Sequence, residues 1–262
     1  MKTKIRAIAR ELALDTLGVI AKPSKGIHLM NSHFLTKEEE LSSDYFDYQL
    51  GKLSKHSTIV PYSEAVELIE KKKQVKHSLI AFSYDDGYAE CYSHIAPVLE
   101  KYNGQGCFFI NPNFADGDEA YIKDFLKNNV HAPAYKRPMR WDEIRDLNRR
   151  GHIIGAHTMD HVRASDIITD EEKHHQIGLC KKVIEEQLNT ACEHFAFTYG
   201  RMDKDFHQKD VDVARVYYKY IYSATDTKTY YSYDGVVLNR RHCEPYWKPS
   251  HVNHFISKEI RY

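Results

Sequence analysis

Leu79-Ile80-Ala81-Phe82-Ser83-Tyr84-Asp85-Asp86-Gly87 is the stretch that decides the fold. An apolar run of strand length leads directly into two adjacent carboxylates and a glycine. Its alternation with helical patterns along the chain implies parallel strands covered by helices. In such sheets the polar functional groups collect where the strands end.

The same texture recurs along the chain. Candidate strands are Ile27–Met30, Leu79–Tyr84, Gly106–Ile110, His152–Ala156, Phe195–Thr198, Tyr220–Ala224 and Val236–Arg240. Helical patterns lie between them. One follows Ser63 and ends in Lys71-Lys72-Lys73, where cations suit a helix C-terminus. Another follows Trp141 and stops at Gly151. A third starts at Thr169, with Glu172 three residues on as in a capping box, and carries the core stripe Ile177, Cys180, Ile184, Leu188. Alternation of this kind predicts an α/β fold, a distorted (β/α)7 barrel of one domain, with an open doubly wound sheet as the alternative. Residues 1–25 read as an N-terminal helical extension and 26–262 as the main domain.

Composition narrows the function. The 262 residues fit one domain with a sizeable core. Lys plus Arg number 37 and Asp plus Glu number 37, so no global field favours nucleic acid. Five cysteines, odd in number and without a CxxC, point to a reducing compartment. The N-terminus MKTKIRAIARELALDTLG is interrupted by Arg6, Arg10, Glu11 and Asp15 and lacks the apolar core of a secretory signal. It reads as a helix packed on its own domain, or as an amphipathic helix on a membrane surface. No apolar run approaches the ~18 residues of a membrane span. A cytoplasmic protein, at most peripheral to the inner face of the membrane, is the expectation.

Two polar clusters follow apolar runs. Ser83-Tyr84-Asp85-Asp86-Gly87 supplies two carboxylates. Gly155-Ala156-His157-Thr158-Met159-Asp160-His161 supplies two imidazoles four positions apart, which converge on one ion if the chain turns helically after its strand. Singly, each also reads as a polar turn or as scatter among 16 histidines. Together they offer a carboxylate and two imidazoles, the ligand set of a hydrolytic metal site, with a spare carboxylate as general base.

At this point the sequence resembles a family. Ser83–Tyr88, SYDDGY, is similar to the TFDDG-type motif of the polysaccharide deacetylases, carbohydrate esterase family 4 or the NodB-homology domain. HTMDH at 157–161 resembles that family's H-S/T-x-x-H motif, and FAFTYGR at 195–201 its third motif. The segments 44–56, 60–73, 96–112 and 139–158 resemble the family's connecting sequence, so the likeness runs from Gly26 to Val237. It implies a distorted seven-stranded (β/α) barrel. It also implies one divalent ion, zinc first, with cobalt, nickel or manganese as alternatives. Asp86, His157 and His161 would bind the ion, Asp85 would be the base, and the Tyr199 backbone N–H would serve the oxyanion.

Two positions depart from the family pattern. The motif proline is Thr198. The late Leu-x-His motif reads Leu238-Asn239-Arg240, so Arg240, or Arg241 if a bulge intervenes, would pair with Asp85. The general acid must then stand elsewhere. His33, at the end of the first strand, fits the place where some branches carry a Tyr-His pair, here Ser32-His33; His242 is its rival. The segment 240–255 resembles a branch associated with surface-polysaccharide biosynthesis. It carries Tyr246 and Trp247, which suit stacking on a sugar ring or packing of the tail. The implied substrate is an acylated amino sugar, nucleotide- or lipid-linked. Competing readings are a deformylase, another amide hydrolase of the superfamily, and a catalytically silent carbohydrate-binding protein.

Overall fold

The computed structural model describes residues 11, 14–38, 41–225 and 228–262. Ten strands make one sheet: β1 (Gly26–Ser32), β2 (Thr58–Ile59), β3 (Ser78–Tyr84), β4 (Cys107–Ile110), β5 (Ile153–Ala156), β6 (His194–Ala196), β7 (Tyr220–Tyr222), β8 (Tyr231–Ser232), β9 (Val237–Leu238) and β10 (Arg241–His242). The order is β10-β1-β3-β4-β5-β6-β7-β9-β8, with β2 added alongside β3. All pairs are parallel except β8 with β9.

The last strand closes the structure. Val237 and Leu238 pair with Ile221 and Tyr222 of β7, while Arg241 and His242 pair with Met30 and Asn31 of β1. The two ends of the sheet order are therefore joined by one short run of chain. Only Asn239 and Arg240 separate the pairings. This makes a distorted (β/α)7 barrel rather than an open doubly wound sheet. The strand expected over Val236–Arg240 is split here. Asn239 donates its backbone N–H to Tyr230 O, and its side-chain oxygen accepts from Ser223 and Ser232.

Strand parity sorts the core into two layers, because successive side chains point to opposite faces. Ile27, Leu29, Leu79, Ala81, Cys107, Phe109, Ala196, Tyr222 and Leu238 form the inner cluster. Met30, Ile80, Phe82, Phe108, Ile154, Phe195 and Ile221 join the outer one, under the helices. Every residue of β1 and β3 is buried, which is why their sequences show no polar alternation.

The three expected helices stand at Tyr62–Glu70, Trp141–Arg149 and, from a Thr169 cap that accepts the Glu172 N–H, along 170–188. The last is drawn out by a π-turn over His174–Leu179, and Ile177, Cys180 and Ile184 are buried. Part of the expected N-terminal extension lies outside the described residues. Its described helix, 14–20, packs on the helix Pro249–Ile256: Asp15 accepts from Lys248 at 2.8 Å and His251 at 2.9 Å. No described helix is long and apolar enough to cross a membrane.

Candidate metal centre and active site

The inward parity of β3 runs 79, 81, 83, so Asp85 continues it into the barrel. Asp86 would point away on a continued strand. It adopts instead a left-handed conformation, φ +72°, followed by Gly87 at +80°. Thr158 (φ +63°), His161 (+57°) and Tyr199 (+59°) are also left-handed. Each such non-glycine residue costs about 1 kcal/mol or more, and strain of this kind gathers where function requires it.

The turns bring Asp86, His157 and His161 together, with one ligand atom from each within 4.8 Å of the others. Asp86 Oδ1 stands 3.2 Å from His161 Nε2 and 3.5 Å from His157 Nε2. All three residues are buried, yet Asp86 Oδ1 has no hydrogen-bond partner among the described residues. A buried carboxylate oxygen without a donor is costly, and an ion between these three groups would satisfy it. His157 Nδ1 lies 2.8 Å from the Ala196 carbonyl. As donor to that oxygen it leaves Nε2 with its lone pair toward Asp86, the usual orientation of a metal-binding imidazole. These residues therefore fit a divalent ion.

The histidine loop is held from behind. Asn111 donates its amide to the His157 and Thr158 carbonyls, and Asp160 accepts from Asn113, Tyr121 and Gln176.

Asp85 sits beside this cluster in a different environment. Arg240 Nη1 reaches its Oδ1 at 2.7 Å and Nη2 its Oδ2 at 2.9 Å. Asn31 Nδ2 adds a third bond at 2.6 Å. The guanidinium also donates to Ser223 O and Ser83 Oγ, and lies 4.8 Å from the Phe109 ring centre. Phe109 has room only because residue 155 is glycine: a Cβ there would lie 2.5 Å from its ring. Arg241 turns the other way, toward Phe255 O.

Burial by itself would raise the Asp85 pKa; Arg240, then His157 and His33, outweigh it and hold the carboxyl below its ordinary value. Asp86 is likewise held well below its ordinary value, against burial, with His161 beside it as the largest opposing influence. Burial moves the His161 pKa down.

A second group stands at the adjoining strand ends: His33, His242 and Glu244. Glu244 Oε1 is 2.7 Å from His33 Nδ1 and 3.5 Å from His242 Nε2, and its Oε2 accepts the His33 backbone N–H at 3.1 Å. The His33 and His242 rings are tilted 5.4 Å apart. Burial disfavours a charge on His33, but the Glu244 carboxylate outweighs it and pushes the pKa up to about 10. For His242 burial prevails and the pKa is lowered.

Tyr199 places its ring edge-on to His161 at 4.9 Å and bonds Asn129 O through its hydroxyl. Among the described residues no group accepts from its backbone N–H. Thr198 ties the same loop to Val162 O through its hydroxyl at 2.6 Å. Trp247 is partly buried, edge-on to His242 at 5.1 Å and against Phe255 at 5.8 Å. Tyr246 stacks on Phe34 instead. Asn31, Asn111, Asp160 and Glu244 were missed in the sequence. Only Asn31 and Asn111 carried a signal, being polar residues of inward parity at strand ends.

Comparison with known proteins identifies the frame. The family model for polysaccharide deacetylase matches residues 72–216, more than half of the chain. The chain belongs to the polysaccharide deacetylase family. The Bacillus subtilis (strain 168) protein YxkH, whose name places it in the same family, is 19% identical over 150 residues. That match covers 57% of this chain and 47% of YxkH, so the chain spans about half the length of that relative. Among solved structures, IcaB from Ammonifex degensii superposes with a TM-score of 0.68 at 17% identity, over 90% of this chain and 99% of its own. The Streptococcus pyogenes deacetylase PplD, solved with acetate, gives 0.67 at 16% identity, over 90% and 99%. At these identities the likeness shows the polysaccharide deacetylase fold.

Proposed function

We propose that this polysaccharide deacetylase-family chain is a metal-dependent amide hydrolase that removes an N-acyl group, acetyl first, from an amino sugar. The observation that carries the reading is the orphaned Asp86 Oδ1 between two imidazole nitrogens, beside a separately paired Asp85. Asp86, His157 and His161 would hold one divalent ion, zinc first, since one oxygen and two nitrogens suit it. Bound there, the ion would supply positive charge to polarise the acyl carbonyl and acidify the attacking water.

The protein's own groups do the rest. Asp85, kept ionised by Arg240, takes the proton of the attacking water. The free Tyr199 N–H serves the oxyanion as the carbonyl becomes tetrahedral, a contribution of a few kcal/mol for one donor. His33 delivers a proton to the leaving nitrogen, because an amide anion is too basic to depart. His242 is the less suited donor, since burial keeps it neutral. Trp247 is proposed to border the sugar subsite through its contact with His242.

The proposed substrate is a nucleotide- or lipid-linked acetamido sugar of surface-polysaccharide assembly in the cytoplasm. All five cysteines are free and buried, in keeping with a reducing compartment. The test is release of acetate and formate from a panel of N-acyl amino sugars by the zinc-loaded protein. Acetate release that disappears on chelation supports the reading. Formate alone makes the enzyme a deformylase, and no release from any sugar overturns the proposal.

A further inference from the structure

A groove of about 820 Å³ runs between the helix 14–20, the helix Asp44–Leu53 and the helix Pro249–Ile256. Val19, Tyr45, Tyr48, Lys52, Lys55 and Lys248 border it, and no carboxylate lines it among the described residues. Two nearby acids, Asp15 and Asp47, are paired: the first with Lys248 and His251, the second with Lys101. Lys52 and Lys55 are exposed and have no carboxylate partner among the described residues. The same holds for Lys22 and Lys25, which follow the first helix. Residues 1–10 add Lys2, Lys4, Arg6 and Arg10 and no acid to this part of the chain.

The apolar part of this face projects from it. Gly18 seats the helix 14–20 on the domain: a Cβ there would come 1.9 Å from Ser250 O, and Asn253 Nδ2 donates to Gly18 O at 2.7 Å. The neighbours of Gly18 are turned outward. Leu17, Val19 and Ile20 are 47%, 76% and 75% exposed, and Tyr45 and Tyr48 are 43% and 51% exposed. One exposed aliphatic is ordinary. Several together, beside two tyrosine rings and unpaired lysines, have the composition of an interfacial surface.

We propose that this helical face docks the protein on an anionic phospholipid surface. Val19, Ile20 and the two tyrosine rings enter the headgroup layer, and Lys52 and Lys55 meet lipid phosphates. Tyrosine suits that depth, having an apolar ring and a polar tip. Lysine lays its stem on apolar surface and keeps its charge among the headgroups; Lys52 Nζ already stands 5.1 Å from the Tyr48 ring centre. Other occupants fit less well. A nucleic acid offers phosphates but no apolar layer for the projecting Val19 and Ile20. An acidic helix laid in the groove would leave Ile20 outside it, since Ile20 does not line it. A twofold pairing with a second copy would set these lysines against themselves.

The face adjoins the barrel mouth. Gln49, on the helix that carries Tyr45 and Tyr48, donates to Trp247 O at 2.8 Å, and Lys248 follows Trp247 directly. Docking here brings the mouth beside the bilayer, which suits the lipid-linked of the two substrate classes proposed above. The docking itself does not depend on that reading and holds whatever the barrel hydrolyses.

The test is sedimentation of the full chain with vesicles of phosphatidylcholine alone and of phosphatidylcholine with about a third phosphatidylglycerol. Binding to the anionic vesicles is expected to be about tenfold tighter or more, and to weaken as salt rises. Lys52→Glu with Lys55→Glu should weaken it about tenfold or more, and Val19→Asn with Ile20→Asn by a similar factor. All four side chains are exposed, so both variants should melt like the wild type. Hydrogen exchange of unmodified protein needs no variant: anionic vesicles should protect residues 14–25 and 44–56. Protection confined to other segments overturns the proposal. So does equal binding to both vesicles, binding to neither, or wild-type binding by either variant. Dimerisation lost in the Val19→Asn, Ile20→Asn protein, without vesicle binding, overturns it by making the face an interface between copies. Retention on polyglutamate without vesicle binding overturns it in favour of an acidic protein partner.

Discussion

Arg240 meets Asp85 end-on inside the barrel, two guanidinium nitrogens against two carboxylate oxygens at 2.7 and 2.9 Å, with both residues almost fully buried. The pair lies where the closing strand crosses from β7 to β1, so the seam of the fold also sets the charge of the proposed base. Asp85→Asn is expected to keep its metal and lose about 100- to 10,000-fold in turnover. Arg240→Met leaves a buried carboxylate unpaired, which costs about 3–5 kcal/mol in stability. The acid limb of its pH–rate profile should move to higher pH, because a base whose pKa rises is protonated earlier on descent. Denaturant melts and pH profiles of the two variants check this. Wild-type turnover by Asp85→Asn would place the base elsewhere.

For the metal centre the measurement is elemental analysis of folded His157→Ala and His161→Ala proteins. Each loses one of the two imidazoles that face Asp86 and is expected to bind metal at least tenfold more weakly. Full metal content in both would remove the centre from this site.

The two histidines that share Glu244 should separate by leaving-group dependence. His33→Ala is expected to fail on an amide and largely recover on an activated substrate, since a good leaving group needs no proton. His242→Ala should change both substrates by less than about threefold, as its lowered pKa leaves it neutral near pH 7. The reverse pattern would make His242 the donor.

Stability should fall with acid in two windows. Burial lowers the His28 pKa from 6.5 to about 4 and that of His194 to about 3. Between 6.5 and those values the unfolded chain binds protons that the folded one does not. Their stabilising share is therefore present above 6.5 and lost as pH falls toward 4 and 3, roughly 3 kcal/mol for His28 and roughly 5 kcal/mol for His194. Asp85 and Asp86, whose folded values are depressed, act lower: their share is present above the ordinary carboxylate value and lost below it. Melts of wild type and His194→Gln from pH 7 to 4 test the upper window. His194→Gln should show the shallower fall, and identical slopes would sink the assignment.

Much of the fold was legible because burial on both faces leaves a mark that composition cannot hide. Leu79–Tyr84 and its counterparts are largely apolar, and β1, β3, β4, β5, β6, β7 and β9 each overlap such a run, whereas β2, β8 and β10 do not. Asp85 and the two histidines were legible for the related reason that they follow those runs directly. The closing strand was only half legible. Val236–Arg240 reads as one strand, whereas the barrel's closure makes two short pairings of it with Asn239 and Arg240 between them.

What the sequence by itself determined is therefore the (β/α) order, the strand ends and the residue types they carry, since periodicity and motif spacing are local properties. The tertiary structure alone decided which of these groups meet. Asp86 joins the histidines only through a left-handed turn, and Arg240 rather than Arg241 enters the barrel. His33 finds Glu244, 211 positions away, because β10 lies beside β1. Contacts at that separation depend on how the sheet closes, and no local pattern of hydrophobicity, charge or turn residues records that closure.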